Sequence, residues 1–169
     1  MKDYHRMAEA EIFDEDERVE LLDGKVFELT PIGSRHAACV KRLARLLMAL
    51  PESEATVGIQ DPIELSEHSE PQPDLVLLRP RADYYATGHP TPGDVLLVVE
   101  VGDVTAQFDR TTKASLYLGS GIPEVWIVDL VAEVVHAVLP RGTRTITRGE
   151  SLAPQAFPDL VLEVAAIVG

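Results

Sequence analysis

Val95-Leu96-Leu97-Val98-Val99-Glu100-Val101 is a nearly unbroken apolar run with a single charge near its end. Such a run predicts a strand at the centre of a sheet with both faces covered, because a strand with one wet face alternates apolar and polar residues instead. Its lone charge is the residue most in need of an explanation. A carboxylate at the edge of an apolar core is costly unless it is paired or metal-bound.

The rest of the chain supplies the layers that such a strand requires. A short acidic helix is expected around Ala8–Phe13. Val19–Leu22, the turn Asp23-Gly24 and Lys25–Leu29 read as a hairpin, since Asp-Gly between apolar runs is a strong local signal. Ser34 is placed to cap a helix running to about Leu50, on which Val40, Leu43 and Leu47 repeat at helical spacing before Pro51 closes it. Short strands are expected at Ala55–Gln60, Ile63–Leu65 and Asp74–Leu78, the last opened by Pro73. Ala86–Asp94 reads as an exposed loop. A second helix is expected from Gln107 to Leu118, ending at Gly119–Gly121. Val125–Asp129 is another buried strand, with Trp126 in the core and Asp129 starting a turn. Glu133–Leu139 and Thr143–Thr147 form a late hairpin. The strand, helix, strand order from Val95 to Val128 is βαβ-like. The chain is therefore expected to be α/β (α+β), with a mixed sheet of about six or more strands.

At 169 residues, one domain spanning 1–169 is expected. Lys and Arg number 15 against 28 Asp and Glu, a net charge of −13 that opposes non-specific binding to DNA or anionic membrane. The lone cysteine, Cys39, can form no internal disulfide, and no apolar stretch is long enough to span a bilayer. The N-terminus is acidic and lacks a signal-like apolar core, so a cytoplasmic setting without membrane association is expected.

The sequence has no P-loop, no dinucleotide-binding glycine fingerprint, no HExxH and no Gly-x-Ser-x-Gly elbow. What remains is a pair of carboxylates. Asp74 opens one strand and Glu100 ends the next, and carboxylates at strand ends can converge on a hard cation such as Mg²⁺. Lys113 lies on the crossover helix, which packs back toward the strand it follows.

Glu20–Gly24, Gly33–His36, Pro73–Val76, Val98–Val101, Asp109–Tyr117 and Gly121-Ile122-Pro123-Glu124-Val125-Trp126-Ile127-Val128-Asp129 together resemble the Uma2 family. The resemblance runs from about Glu9 to Val168. It implies a restriction-endonuclease-like PD-(D/E)XK fold, a central mixed β-sheet flanked by helices. It also implies a restriction-type endonuclease that uses Mg²⁺ or Mn²⁺ to cleave phosphodiester bonds, with nucleic acid, chiefly DNA, as partner. Asp74 matches the motif aspartate and Glu100 the motif glutamate; both would bind metal, with the Val101 carbonyl as a further ligand. Glu20 would complete the acidic site, and His36 would stand near the same pocket. The nuclease motif places lysine two residues after the glutamate, where this chain has Gly102. The resemblance assigns that role to Lys113 instead.

Each candidate also has a structural alternative. Asp74 could be a turn carboxylate, and Glu100 could pair with Lys113 or Arg110. Lys113 could be a solvated helix lysine, and Glu20 a strand charge facing Lys25 or another cross-strand neighbour. His36 could be packed or capping, Asp109 could bond at the helix start, and Gln60 could be a polar strand end rather than a pocket residue. The acidic run Asp14–Glu17 reads as a solvated face. Arg35, Lys41, Arg42 and Arg45, or Arg141, Arg144 and Arg148, could contact phosphates or simply be solvated. At the level of function, two alternatives stand beside a DNA endonuclease: a non-catalytic nucleic-acid or protein binding module on the same fold, and a metal-dependent hydrolase of RNA or a nucleotide. Paired cuts in a duplex would suit a homodimer.

Overall fold

The computed structural model describes residues 1–13, 17–102 and 112–169. Along the chain run helix α1 (Lys2–Glu9), strands β1 (Val19–Leu22) and β2 (Lys25–Glu28), helix α2 (Ser34–Leu47), strands β3 (Thr56–Ile59), β4 (Leu75–Leu78) and β5 (Val95–Gly102), and helix α3 (Ala114–Gly119). Then follow β6 (Val125–Asp129), β7 (Val134–Leu139), β8 (Gly142–Thr147), β9 (Ser151–Leu152), β10 (Leu162–Glu163) and helix α4 (Val164–Val168).

The central sheet has six strands in the order β3-β4-β5-β6-β7-β8. Every pairing is antiparallel except β5 with β6, which is parallel. The apolar run at Val95–Val101 thus lies in the middle, as its composition predicts, and α3 belongs to the crossover that joins the parallel pair. Alternation along β5 feeds two cores. Leu97, Val99 and Val101 pack with Val40, Leu43 and Leu47 of α2 and with Ile167 of α4. Val95 and Val98 pack on the other face with Ala114 and Tyr117 of α3. Cys39 lies in the first core, where burial pushes its thiol up to about 11, so it is an inert apolar residue.

The Asp23-Gly24 turn forms as expected, with φ of 48° and 76°. This is the left-handed pair that a two-residue hairpin turn requires. Three expectations are corrected. The first helix is Lys2–Glu9, not Ala8–Phe13; Tyr4 donates to the Val19 carbonyl and His5 bonds Glu70, contacts with partners remote in sequence. Helix α2 ends at Leu47 rather than Leu50, and its N-cap is Gly33 with no side-chain cap, so Ser34 is the first helical residue instead of the cap. Ile63–Leu65 forms no strand. Ile63 and Leu65 are buried and Glu64 is not, but their three N–H groups donate to Pro71, Pro90 and Ser69 in turn, so no ladder can form. The expected Gln107 start of the second helix, with Asp109 and Arg110, lies outside the described residues, as do Asp14–Asp16.

Glu124, in the segment leading into β6, shows how the C-terminal part is fastened. It is buried, and its carboxylate accepts bonds from Trp126 Nε1 at 2.8 Å and the Gln155 N–H at 2.7 Å. Burial raises its pKa; the two donors oppose that only in part. Folding therefore favours the protonated form. Its ionisation costs stability as pH rises above the unfolded value of about 4.3, and the cost is complete once pH passes the raised folded value. Urea unfolding across pH should show the wild type losing stability relative to Glu124→Gln in that window. Glu124→Ala should lose about 2–4 kcal/mol, because it strands the buried Trp126 N–H, removes the acceptor of the Gln155 N–H and leaves a void.

Candidate active site

Sheet register creates the site. Leu75 faces Val99 and Ile59 faces Leu75 across neighbouring strands. One further step puts Asp74 opposite Glu100 and Gln60 opposite Asp74, and the Gln60 N–H donates to the Asp74 carbonyl at 3.1 Å. Residues directly opposite in a sheet stand about 4.5–5.5 Å apart and point to one face. Two carboxylates are thereby placed side by side where β4 begins and β5 ends. Glu20, His36, Gln60, Asp74, Glu100 and Lys113 line one cavity of ≈170 Å³, and Val101 lines it too.

The two strand carboxylates are held differently. Asp74 Oδ1 receives His36 Nε2 at 2.8 Å, from the first turn of α2, and Oδ2 accepts the Val101 N–H at 2.8 Å. Glu100 faces α3. Its Oε1 accepts the Tyr117 hydroxyl at 2.6 Å and contacts Lys113 Nζ at 2.8 Å. Lys113 immediately precedes α3, one helical turn from Tyr117, so both donors reach the same oxygen. The ammonium also contacts Glu20 Oε2 at 3.1 Å, and that oxygen accepts the Gln72 N–H at 3.2 Å. In the hairpin register Glu20 faces Phe27 rather than Lys25, and its charged partner is Lys113, from outside the hairpin.

Glu20 (2 %), Glu100 (4 %), Asp74 (8 %) and Lys113 (4 %) are all nearly inaccessible. Among the described residues that line the cavity, four carboxylates (Glu20, Glu28, Asp74 and Glu100) outnumber the Lys113 ammonium and the Arg18 guanidinium, with His36 bonded to Asp74, and burial makes surplus negative charge expensive. That surplus, on hard oxygen donors, fits a divalent cation. Among the described residues no three His, Cys, Asp or Glu side chains form a metal cage by themselves.

All five sequence candidates, Glu20, His36, Asp74, Glu100 and Lys113, line this cavity, with Val101 beside them. Sequence reasoning missed Tyr117 and Gln72. The Lys113-x-x-x-Tyr117 spacing was the available signal for the first; nothing local marks the second. The basic residues divide. Arg35 donates to the Leu130 carbonyl, Arg42 to those of Ile167 and Val168, and Arg148 pairs with Glu133 at 2.7 Å, so these three have structural partners. Lys41, Arg45, Arg141 and Arg144 are exposed. Asp129 starts its turn by accepting the Val131 and Ala132 N–H groups. No described helix is long and apolar enough to cross a membrane.

Comparison with known proteins agrees with this arrangement of elements. A crystal structure of a "putative nuclease belonging to DUF820" from Anabaena variabilis superposes with a TM-score of 0.74 at 16% identity, covering 89% of each chain. It shows that the two share a fold. No curated protein matches significantly. The model of the Uma2 family, described as "Putative restriction endonuclease", matches residues 1–165. The chain therefore belongs to the Uma2 family.

Proposed function

We propose that this protein is a metal-dependent endonuclease that hydrolyses phosphodiester bonds in DNA, and that the unit 1–169 carries the activity. One observation carries the reading. Asp74 and Glu100 stand one step beyond the Leu75–Val99 pair of adjacent strands, inside a cavity whose described lining holds more carboxylates than Lys113 and Arg18 offset. Asp74, Glu100 and the Val101 carbonyl would hold Mg²⁺ or Mn²⁺, with Glu20 completing the acidic wall. A bound divalent ion would polarise the phosphate and acidify a water.

The chain's own groups do the positioning. His36 and the Val101 N–H fix the two oxygens of Asp74. Tyr117 and Lys113 fix Glu100. In the reaction proposed, water attacks phosphorus in line with the departing 3′ oxygen, leaving a 5′-phosphate and a 3′-hydroxyl. The Lys113 ammonium, which contacts Glu20 and Glu100, would stabilise the charge that builds on the phosphate oxygens. Paired cuts in duplex DNA call for two such sites, so a dimer is the assembly proposed.

The test combines calorimetry and cleavage. Mn²⁺ titrated into the wild type should give a saturable isotherm that Asp74→Ala abolishes. Supercoiled plasmid with Mg²⁺ should be nicked or linearised by the wild type alone. A wild type that binds no Mn²⁺ and leaves plasmid, single-stranded DNA and RNA intact would overturn the reading. Cleavage of RNA with DNA untouched would transfer the site to the alternative substrate.

A further inference from the structure

Gln60 stands just past β3 with φ of 57°, a left-handed conformation that residues other than glycine seldom adopt. Its surroundings enforce it. Its N–H is tied to the Asp74 carbonyl at 3.1 Å. The turn that follows folds back on β3, so that a Cβ at Gly58 would meet Asp61 Oδ2 at 2.9 Å, while Val76 Cγ1 of the paired strand β4 would lie 2.7 Å away. Strain of this kind persists where the surrounding structure over-determines it, and such sites cluster where chemistry or binding is done.

The side chain points to what the strain serves. Gln60 Nε2 lies 3.4 Å from Asp74 Oδ1, at the outer limit of a hydrogen bond, on an oxygen that His36 already holds at 2.8 Å. A carboxamide carries two N–H bonds and an acceptor oxygen. Asp74 takes one of these weakly, and the half-buried residue lines the cavity beside the carboxylates. A lysine or arginine here would neutralise Asp74 and weaken the attraction for a cation. An amide donates without changing the charge.

We infer that Gln60 is a substrate-contact residue whose carboxamide donates a hydrogen bond to a non-bridging oxygen of a phosphate seated at Asp74 and Glu100. The inference rests on the metal-dependent phosphodiesterase reading above. Its rival is a turn residue whose side chain touches nothing but Asp74.

The experiment uses Gln60→Gly and Gln60→Asn, both at ease with a left-handed backbone. Three quantities are read: metal-free melting temperature, Mn²⁺ affinity, and affinity of the Mn²⁺-loaded protein for thymidine 5′-monophosphate. Gln60→Gly should melt at or above the wild-type temperature, bind Mn²⁺ as the wild type does, and lose about 5–10-fold in nucleotide affinity, the worth of one hydrogen bond. Gln60→Asn keeps the amide but shortens its reach, and should lose nucleotide affinity to a similar extent without losing stability. Unchanged nucleotide affinity in Gln60→Gly overturns the inference. A parallel fall in Mn²⁺ affinity also overturns it, because Gln60 would then act by holding Asp74. A wild type that binds no Mn²⁺ fails at the earlier step: the nuclease reading goes, and this inference goes with it.

Discussion

Lys113→Met is expected to lower the stability of the metal-free protein by about 3–5 kcal/mol, the cost of leaving buried charges without their partner. Lys113 Nζ stands 2.8 Å from Glu100 and 3.1 Å from Glu20, and all three groups are nearly inaccessible to water. Methionine fills a similar volume, so the loss measures charge and not packing. For a chain of this size the melting temperature should fall by roughly 10 °C. Two controls separate this from a general defect. Adding Glu20→Gln to the variant should recover part of the loss, since one of the stranded charges is gone. Saturating Mn²⁺ should stabilise Lys113→Met more than it stabilises the wild type, because the added cation replaces the missing one. Equal stabilisation of both proteins would mean that the lysine and the metal do not share these carboxylates.

The same buried charges show what a sequence can and cannot reveal. The run Val95–Val101 announces a central strand because two-sided burial writes itself into consecutive residues. Helix α2 is legible for the same kind of reason: Val40, Leu43 and Leu47 recur at its period and all three are buried. The Asp23-Gly24 turn is legible because few residues tolerate its backbone. Ile63–Leu65 misled because alternation reports burial and not hydrogen bonding; its side chains are where the pattern puts them, but its backbone donates to three separate segments. Helix α1 was misplaced because remote contacts decide its position, Tyr4 to Val19 and His5 to Glu70, and a short helix has little propensity of its own to place it.

The site was legible in outline only. Asp74 and Glu100 stood out as charges bordering apolar strands, but nothing in the linear order says that they share a register. That depends on the antiparallel pairing of β4 with β5. Glu20 and His36 enter through family resemblance, and Lys113 through its place on the crossover helix; their partners are fixed by packing between the first hairpin, α2 and α3. Tyr117 reads in sequence as one more core aromatic, and its hydroxyl matters only once Glu100 is known to lie beneath it. Burial patterns are local and periodic, whereas the pairing of polar groups across elements is neither.

Glu100→Gln should abolish function while sparing the fold. The amide keeps the size of the carboxylate, and its oxygen can still accept the Tyr117 hydroxyl. It removes one negative charge from a cavity where Lys113 already offsets another, so the remaining attraction for a divalent cation drops sharply. Mn²⁺ affinity should fall by at least about 100-fold and plasmid cleavage by about 10³-fold or more, the scale on which stabilisation of a charged transition state is lost. Thermal unfolding should move little in comparison with Lys113→Met, because Lys113 retains Glu20 at 3.1 Å. The contrast between the two variants is the informative result. Removing the lysine harms the empty protein most, whereas removing the carboxylate harms the loaded one. A Glu100→Gln protein that binds Mn²⁺ and cleaves like the wild type would show that the buried cluster is an internal salt-bridge network and that the chemistry, if any, lies elsewhere.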